Sequence, residues 1–150
     1  MNLPPRFLLG LLCLLAPATA ATAAGADAPP SEPIKNFVLP TFTPVAGYRS
    51  MLLRGSEAHM LTPTLIQLDN MNLTVFSGDA SNRVDSILLS PIARVALDEH
   101  TAGGPGAVRL IRDDLELTGE QWTYDQAEKR ISIARNVRVV FHTELKDLLK

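Results

Sequence analysis

From Val45 to His142 apolar and polar side chains alternate in short runs, the pattern of strands with one face in a core and the other in water. The runs predict strands at Val45 to Arg54, Glu57 to Leu61, Thr64 to Asp69, Asn72 to Phe76, Val84 to Leu89, Ile92 to Leu97, Val108 to Ile111, Leu115 to Leu117, Gln121 to Tyr124, Arg130 to Ile133 and Val137 to His142. Two stretches repeat each other at an offset of 64 to 66 residues: Gly55 to Phe76 and Gly119 to Phe141. Each opens on a glycine, places a large apolar residue five positions later (Met60, Tyr124), passes an I-x-[LI] run and ends in phenylalanine. Each copy reads as a hairpin followed by a third strand, so the chain is built from stacked antiparallel hairpins.

Prolines 40, 44, 63 and 91 fall where strands are expected to end, which suits a residue without an N–H. Gly103-Gly104-Pro105-Gly106 reads as a flexible hairpin connection: no helix follows it, and Pro105 removes a donor that a phosphate loop would need. Long helical periodicity is absent. Residues 143–150 form a tail or a short helix, with Thr143 as its N-cap before Glu144 to Leu149.

Residues 1–24 carry the marks of a signal peptide. Arg6 supplies the positive start, Phe7 to Leu15 the apolar run, and Ala18-Thr19-Ala20 or Ala21-Thr22-Ala23 a small-x-small cleavage site. Nine apolar residues fall short of the roughly 20 that span a bilayer, so the expectation is export, with a weak inner-membrane anchor as the alternative if the leader stays uncleaved. Residues 25–33, rich in proline and small residues, form a disordered linker, and residues 34–142 the folded domain. Cys13, the only cysteine, lies inside the leader behind Leu11-Leu12, where a lipoprotein acceptor would need a small residue. Processing would leave no thiol for disulfides, metal sites or nucleophilic catalysis.

A formal net charge of −2 gives no basic footprint for nucleic acid, and aromatics at 5% offer few platforms for base stacking. Enzymatic motifs are missing as well. His59, His100 and His142 are scattered without metal-ligand spacing, and no H-E-x-x-H or G-x-S-x-G accompanies them, so no catalytic residue, metal or cofactor is expected. Asp113-Asp114 with Glu116 reads as a solvated turn rather than a calcium loop, and Asn72-Leu73-Thr74 matches a glycosylation sequon by chance if the source is bacterial.

The pattern G-x-x-[AW]-x-[MY], then I-x-[LI], then N-V-R-V-x-F, fullest in DDLELTGEQWTYDQAEKRISIARNVRVVF (Asp113 to Phe141), resembles periplasmic lipopolysaccharide-transport proteins of the LptC and OstA-like (LptA-like) type. The resemblance covers roughly Gly47 to His142. It implies an all-β fold, an open, twisted antiparallel β-jelly roll, in a protein that takes lipopolysaccharide from an ATP-driven export complex of the inner membrane. Such a protein passes its lipid to OstA-like bridge proteins by edge-strand pairing. The short leader and small domain leave open whether the chain is an LptC-type receiver or a bridge component.

For such a carrier the lipid groove would be lined by Met60, Leu73, Val75, Trp122, Tyr124, Ile131, Val139 and Phe141, with Ala58, Ile133 and Val137 facing the same way. The same alternation serves equally as the closed core of a sandwich. Trp122 and Tyr124, two apart on one strand, suit a groove that is apolar inside and wet at its mouth. Arg109, Arg112, Arg130, Arg135 and Arg138 would meet lipid phosphates only if gathered at that mouth. Val137, Val140 and His142 would form the partner edge strand, and Val140→Pro would damage it provided the Val140 N–H points outward. The competing reading is a structural or adaptor β-domain of the cell envelope that binds no lipid.

Overall fold

The computed structural model describes residues 32–142; the leader, most of the linker and the C-terminal tail lie outside them. Seven long strands make up the described chain: β1 (Ile34–Phe42), β2 (Arg49–Met60), β3 (Leu65–Phe76), β4 (Val84–Ala96), β5 (Thr101–Ile111), β6 (Leu115–Asp125) and β7 (Arg130–Phe141). They form one open antiparallel sheet in chain order, each strand beside its sequence neighbours. Among the described residues no helix is long and apolar enough to cross a membrane.

Eleven short strands were expected, and the difference has one physical cause. Five of the seven strands hold two expected segments each, and the gaps between segments are bends rather than turns. Asn36, Asn70, Gln121 and Asn136 sit inside β1, β3, β6 and β7 with φ between 50° and 55°, a left-handed conformation that Asn tolerates better than most residues. In β4 and β5 the same role falls to Ser90-Pro91 and Gly104-Pro105-Gly106, where the ladder skips from Leu89↔Arg109 to Arg94↔Gly103. Gly103 to Gly106 is therefore an irregular stretch inside β5, not the hairpin connection expected of it, and Pro40 and Pro91 lie within strands rather than at their ends. The Ser90 hydroxyl, buried in this gap, lies 2.8 Å from the Ala107 carbonyl and 3.0 Å from that of Ile92, donating across the interruption.

Each repeat is accordingly one hairpin of two bent strands, β2 with β3 and β6 with β7, rather than a hairpin plus a third strand. Its opening glycine sits at the bend. A Cβ on Gly119 would collide with Ile133 Cγ2 and lie 2.9 Å from the Arg135 carbonyl, and one on Gly55 would lie 3.0 Å from Leu68 Cδ2. β1 lacks the alternating pattern because Lys35, Asn36 and Pro40 interrupt it, and Val45, the expected start of the first strand, is a fully exposed residue of the β1–β2 turn.

The bends line up across the sheet and divide it into two layers. The first holds residues 37–42, 49–54, 71–76, 84–90, 107–111, 115–119 and 137–141; the second holds the other ends of the same strands. Leu73 and Val95 show that the layers face each other. They belong to opposite ends of the β3–β4 hairpin, with partners Leu88 and Ile66, yet they line one cleft. Lys129 in the β6–β7 turn likewise reaches to 4.0 Å of Asp85 in the first layer. Both inner faces are apolar. One cross-strand row of the first layer reads Leu39, Leu53, Leu73, Leu88, Leu110, Leu117, Val139; the second layer has Met60, Ile66, Val95, Ala102, Tyr124, Ile131. Apart from Met60 and Val139, which are exposed, these rows are buried or half-buried and with Ala58, Leu68, Ala93 and Trp122 make the core.

Candidate functional site

Between the two layers the packing is incomplete. A cleft of about 270 Å³ remains where Leu39, Met51, Leu53 and Leu73 of the first layer face Val95, Ala102 and Tyr124 of the second. Its walls are overwhelmingly apolar; the polar residues that line it are Thr41 of β1 and, at the β4–β5 and β6–β7 turns, His100, Thr101 and Gln126. Small side chains create the space. Ala102 stands between Val95 and Tyr124 in its row, where a larger residue would fill the gap.

Tyr124 also lines a second, polar basin of about 450 Å³, together with Val75, Arg83, Asp85, Arg112, Asp114 and Lys129. Burial, with a smaller contribution from the charge of Asp125, pushes its phenol up to about 12, so it stays protonated and able to donate. Arg112 is the arginine that the fold carries to this basin, where Arg83 and Lys129 join it. Acids match these cations: Arg83 lies 3.2 Å from Asp85 and Arg112 3.5 Å from Asp114. Arg109 is engaged elsewhere, gripping Glu116 through two bonds of 2.7 and 2.9 Å that raise its own pKa and lower that of the carboxyl. Glu116 is thereby withdrawn from any calcium set with Asp113 and Asp114. Arg130 pairs with Glu128 at 3.0 Å, and Arg135 and Arg138 lie exposed on β7.

The expected groove residues fall at different depths of one inner surface. Leu73, Val75, Trp122 and Tyr124 are buried, Ile131 is half-buried, and Met60, Val139 and Phe141 are exposed, the last at 65%. Leu73 and Tyr124 line the apolar cleft. Val75 lies at the polar basin. Trp122 packs one row deeper, directly across from Gly104, and its indole N–H is buried without an acceptor among the described residues. The first-layer row grows more accessible towards β7: Leu88 and Leu110 are buried, Leu117 is half-buried and Val139 exposed.

β7 is the last strand of the sheet, and among the described residues its outer side has no partner. The expected edge residues need sorting by backbone direction. The His142 N–H donates to the Asp114 carbonyl at 2.9 Å. Antiparallel ladders alternate, so the Val140 N–H also turns inwards to β6, while those of Val139 and Phe141 face out. The condition attached to Val140→Pro is therefore not met, and Val137, Val139 and Phe141 present the free edge.

The fold also gathers three residues that the sequence reading kept apart. Glu57 and Asp69 are direct cross-strand partners on β2 and β3, and the His59 Nε2 lies 3.8 Å from a carboxylate oxygen of each. The i, i+2 spacing of Glu57 and His59 on one strand face was the available signal, but it gains meaning only when the register supplies Asp69.

No protein-family model matches the chain, and no curated protein sequence matches it either.

Proposed function

We propose that this chain is an exported periplasmic protein that binds lipopolysaccharide and helps move it towards the outer membrane, its bent sheet forming a β-jelly roll of the LptC or OstA-like kind. The observation that carries this reading is the apolar cleft between the sheet layers, with an inner face that becomes accessible at the open β7 edge. A closed sandwich would fill that space with side chains. Here it is left to a guest whose methylenes each gain about 0.8 kcal/mol on leaving water. At about 270 Å³ the cleft lies just below the usual range for small-molecule pockets, so it holds part of one acyl chain while the rest of the lipid follows the inner face towards β7. Lipid enters from an inner-membrane ABC export complex and leaves by pairing of an edge strand with an OstA-like bridge protein, which extends the apolar face from one molecule to the next.

The test is site-specific photocrosslinking in a Gram-negative cell. A benzophenone side chain at Met51, which lines the cleft, should yield lipopolysaccharide adducts, whereas one at Arg54, exposed on the outer face, should not. Equal labelling at both positions would refute the cleft. Protein adducts without lipid at Met51 would favour the adaptor reading.

A further inference from the structure

We infer that Glu57, His59 and Asp69 form a surface site for a divalent transition metal of the zinc class, clamping β2 to β3 on the outer face of the second layer. Glu57 and Asp69 stand directly opposite each other in the ladder, and like charges so placed destabilise a strand pair unless a cation joins them. Lys35 is the neighbour of Glu57 on β1, yet the group within 4.0 Å of both carboxylates is the imidazole of His59. At 3.8 Å from each oxygen, Nε2 is too far for a hydrogen bond to either and equally placed towards both.

That spacing suits an ion. One donor atom from each of the three residues lies within 4.8 Å of the others. Three atoms within 4.8 Å of one another fit within about 2.8 Å of a common centre, against zinc–nitrogen and zinc–oxygen bonds of about 2.0–2.2 Å. Small side-chain rotations close the difference. One imidazole nitrogen and two carboxylate oxygens are borderline-to-hard donors of the kind that bind zinc or manganese, and two carboxylates balance a divalent charge. The positions left open face solvent, because all three side chains are partly exposed.

The scaffold beneath the three residues is braced. The Ser56 hydroxyl donates to the Asp69 carbonyl at 3.1 Å, and the Asn70 side-chain amide donates to Ser56 Oγ at 3.1 Å. These bonds hold the β2–β3 register at the bend, next to the ligands, and so fix how the carboxylates face one another. The site is independent of the lipid cleft, which lies on the inner face.

The experiment is calorimetric titration of tag-free protein with zinc chloride, alongside cobalt(II) absorption spectra. A single 1:1 event is expected, weakened at least tenfold by His59→Ala and by Asp69→Asn and unchanged by Gln67→Ala, which alters the residue opposite His59. Circular dichroism of the metal-free variants checks the fold, and Asp69→Asn keeps the side-chain shape should His59→Ala unfold. Zinc uptake of equal affinity in the parent, His59→Ala and Asp69→Asn would mean an adventitious ion only and overturn the inference. So would the lack of any saturable event.

Discussion

Ala102→Phe separates an open cleft from a packed core. Ala102 points between the layers with Val95 on one side and Tyr124 on the other, and it lines the space of about 270 Å³. A cavity of about 150 Å³ accepts a benzene ring, so the introduced phenyl group would take more than half of the cleft. If that space belongs to an acyl chain, two or three methylenes lose their place. At about 0.8 kcal/mol each, the loss is roughly 1.6–2.4 kcal/mol, or about 15- to 60-fold in affinity. Because the ring enters empty volume, the melting temperature of the lipid-free protein should hold or rise. Fluorescence titration with an acyl-chain probe, paired with thermal unfolding, reads both quantities. Unchanged affinity would show that the probe binds elsewhere. A loss of stability of about 1–3 kcal/mol, the usual cost of overpacking, would show that the layers are already in contact and that no cleft exists.

Gly119→Ala should lower the unfolding free energy by about 1–3 kcal/mol in a denaturant titration, since its Cβ would press on Ile133 and the Arg135 carbonyl; a neutral effect would contradict the close approach at the bend. Val139→Pro should weaken capture of an OstA-like partner with little loss of stability, because its N–H faces away from β6, whereas Val140→Pro should destabilise the fold by removing a ladder bond. A pull-down and melting curve on both variants decide this, and the reverse ranking would refute the assigned edge. Hydrogen bonds from Ser81 and Ser77 hold the Asp79 carboxyl below its ordinary value of 3.8. A lowered carboxyl stabilises the fold at neutral pH and loses that contribution as pH falls through its folded value. Asp79→Asn should therefore be less stable than the parent at neutral pH, and the gap should close only in acid well below pH 3.8, once the folded-state carboxyl itself is protonated, by denaturant titration at each pH. A stability gap that persists in acid would contradict the assignment.

How far the fold was legible depended on which signals survive a bend. Alternation located most of β2 to β7, as where Leu68 and Tyr124 are inward residues flanked on both sides by polar ones. It could not distinguish a bend from a turn. Asn70-Met71 reads as a break, yet β3 continues through it as one bent strand with Asn70 in the left-handed region. Likewise Gly103 to Gly106 carries every mark of a loop and is strand, since what its small residues permit is close passage of β5 beside Ile92 and Trp122. The inward set of groove residues was readable from parity alone. Their depth was not: Val139 and Leu73 look alike in sequence, but one lies on the last strand of the sheet and the other in its middle. Nor could parity reveal Asp69 beside His59, because that contact needs the β2–β3 register.

The measurement closest to the central claim is native mass spectrometry of the protein purified without detergent from a Gram-negative host. The account predicts a fraction of molecules carrying a bound species whose mass and fragments are those of lipopolysaccharide or its acylated core, with that fraction sharply reduced in Ala102→Phe. Bare polypeptide alone, even after incubation with purified lipopolysaccharide, would contradict it.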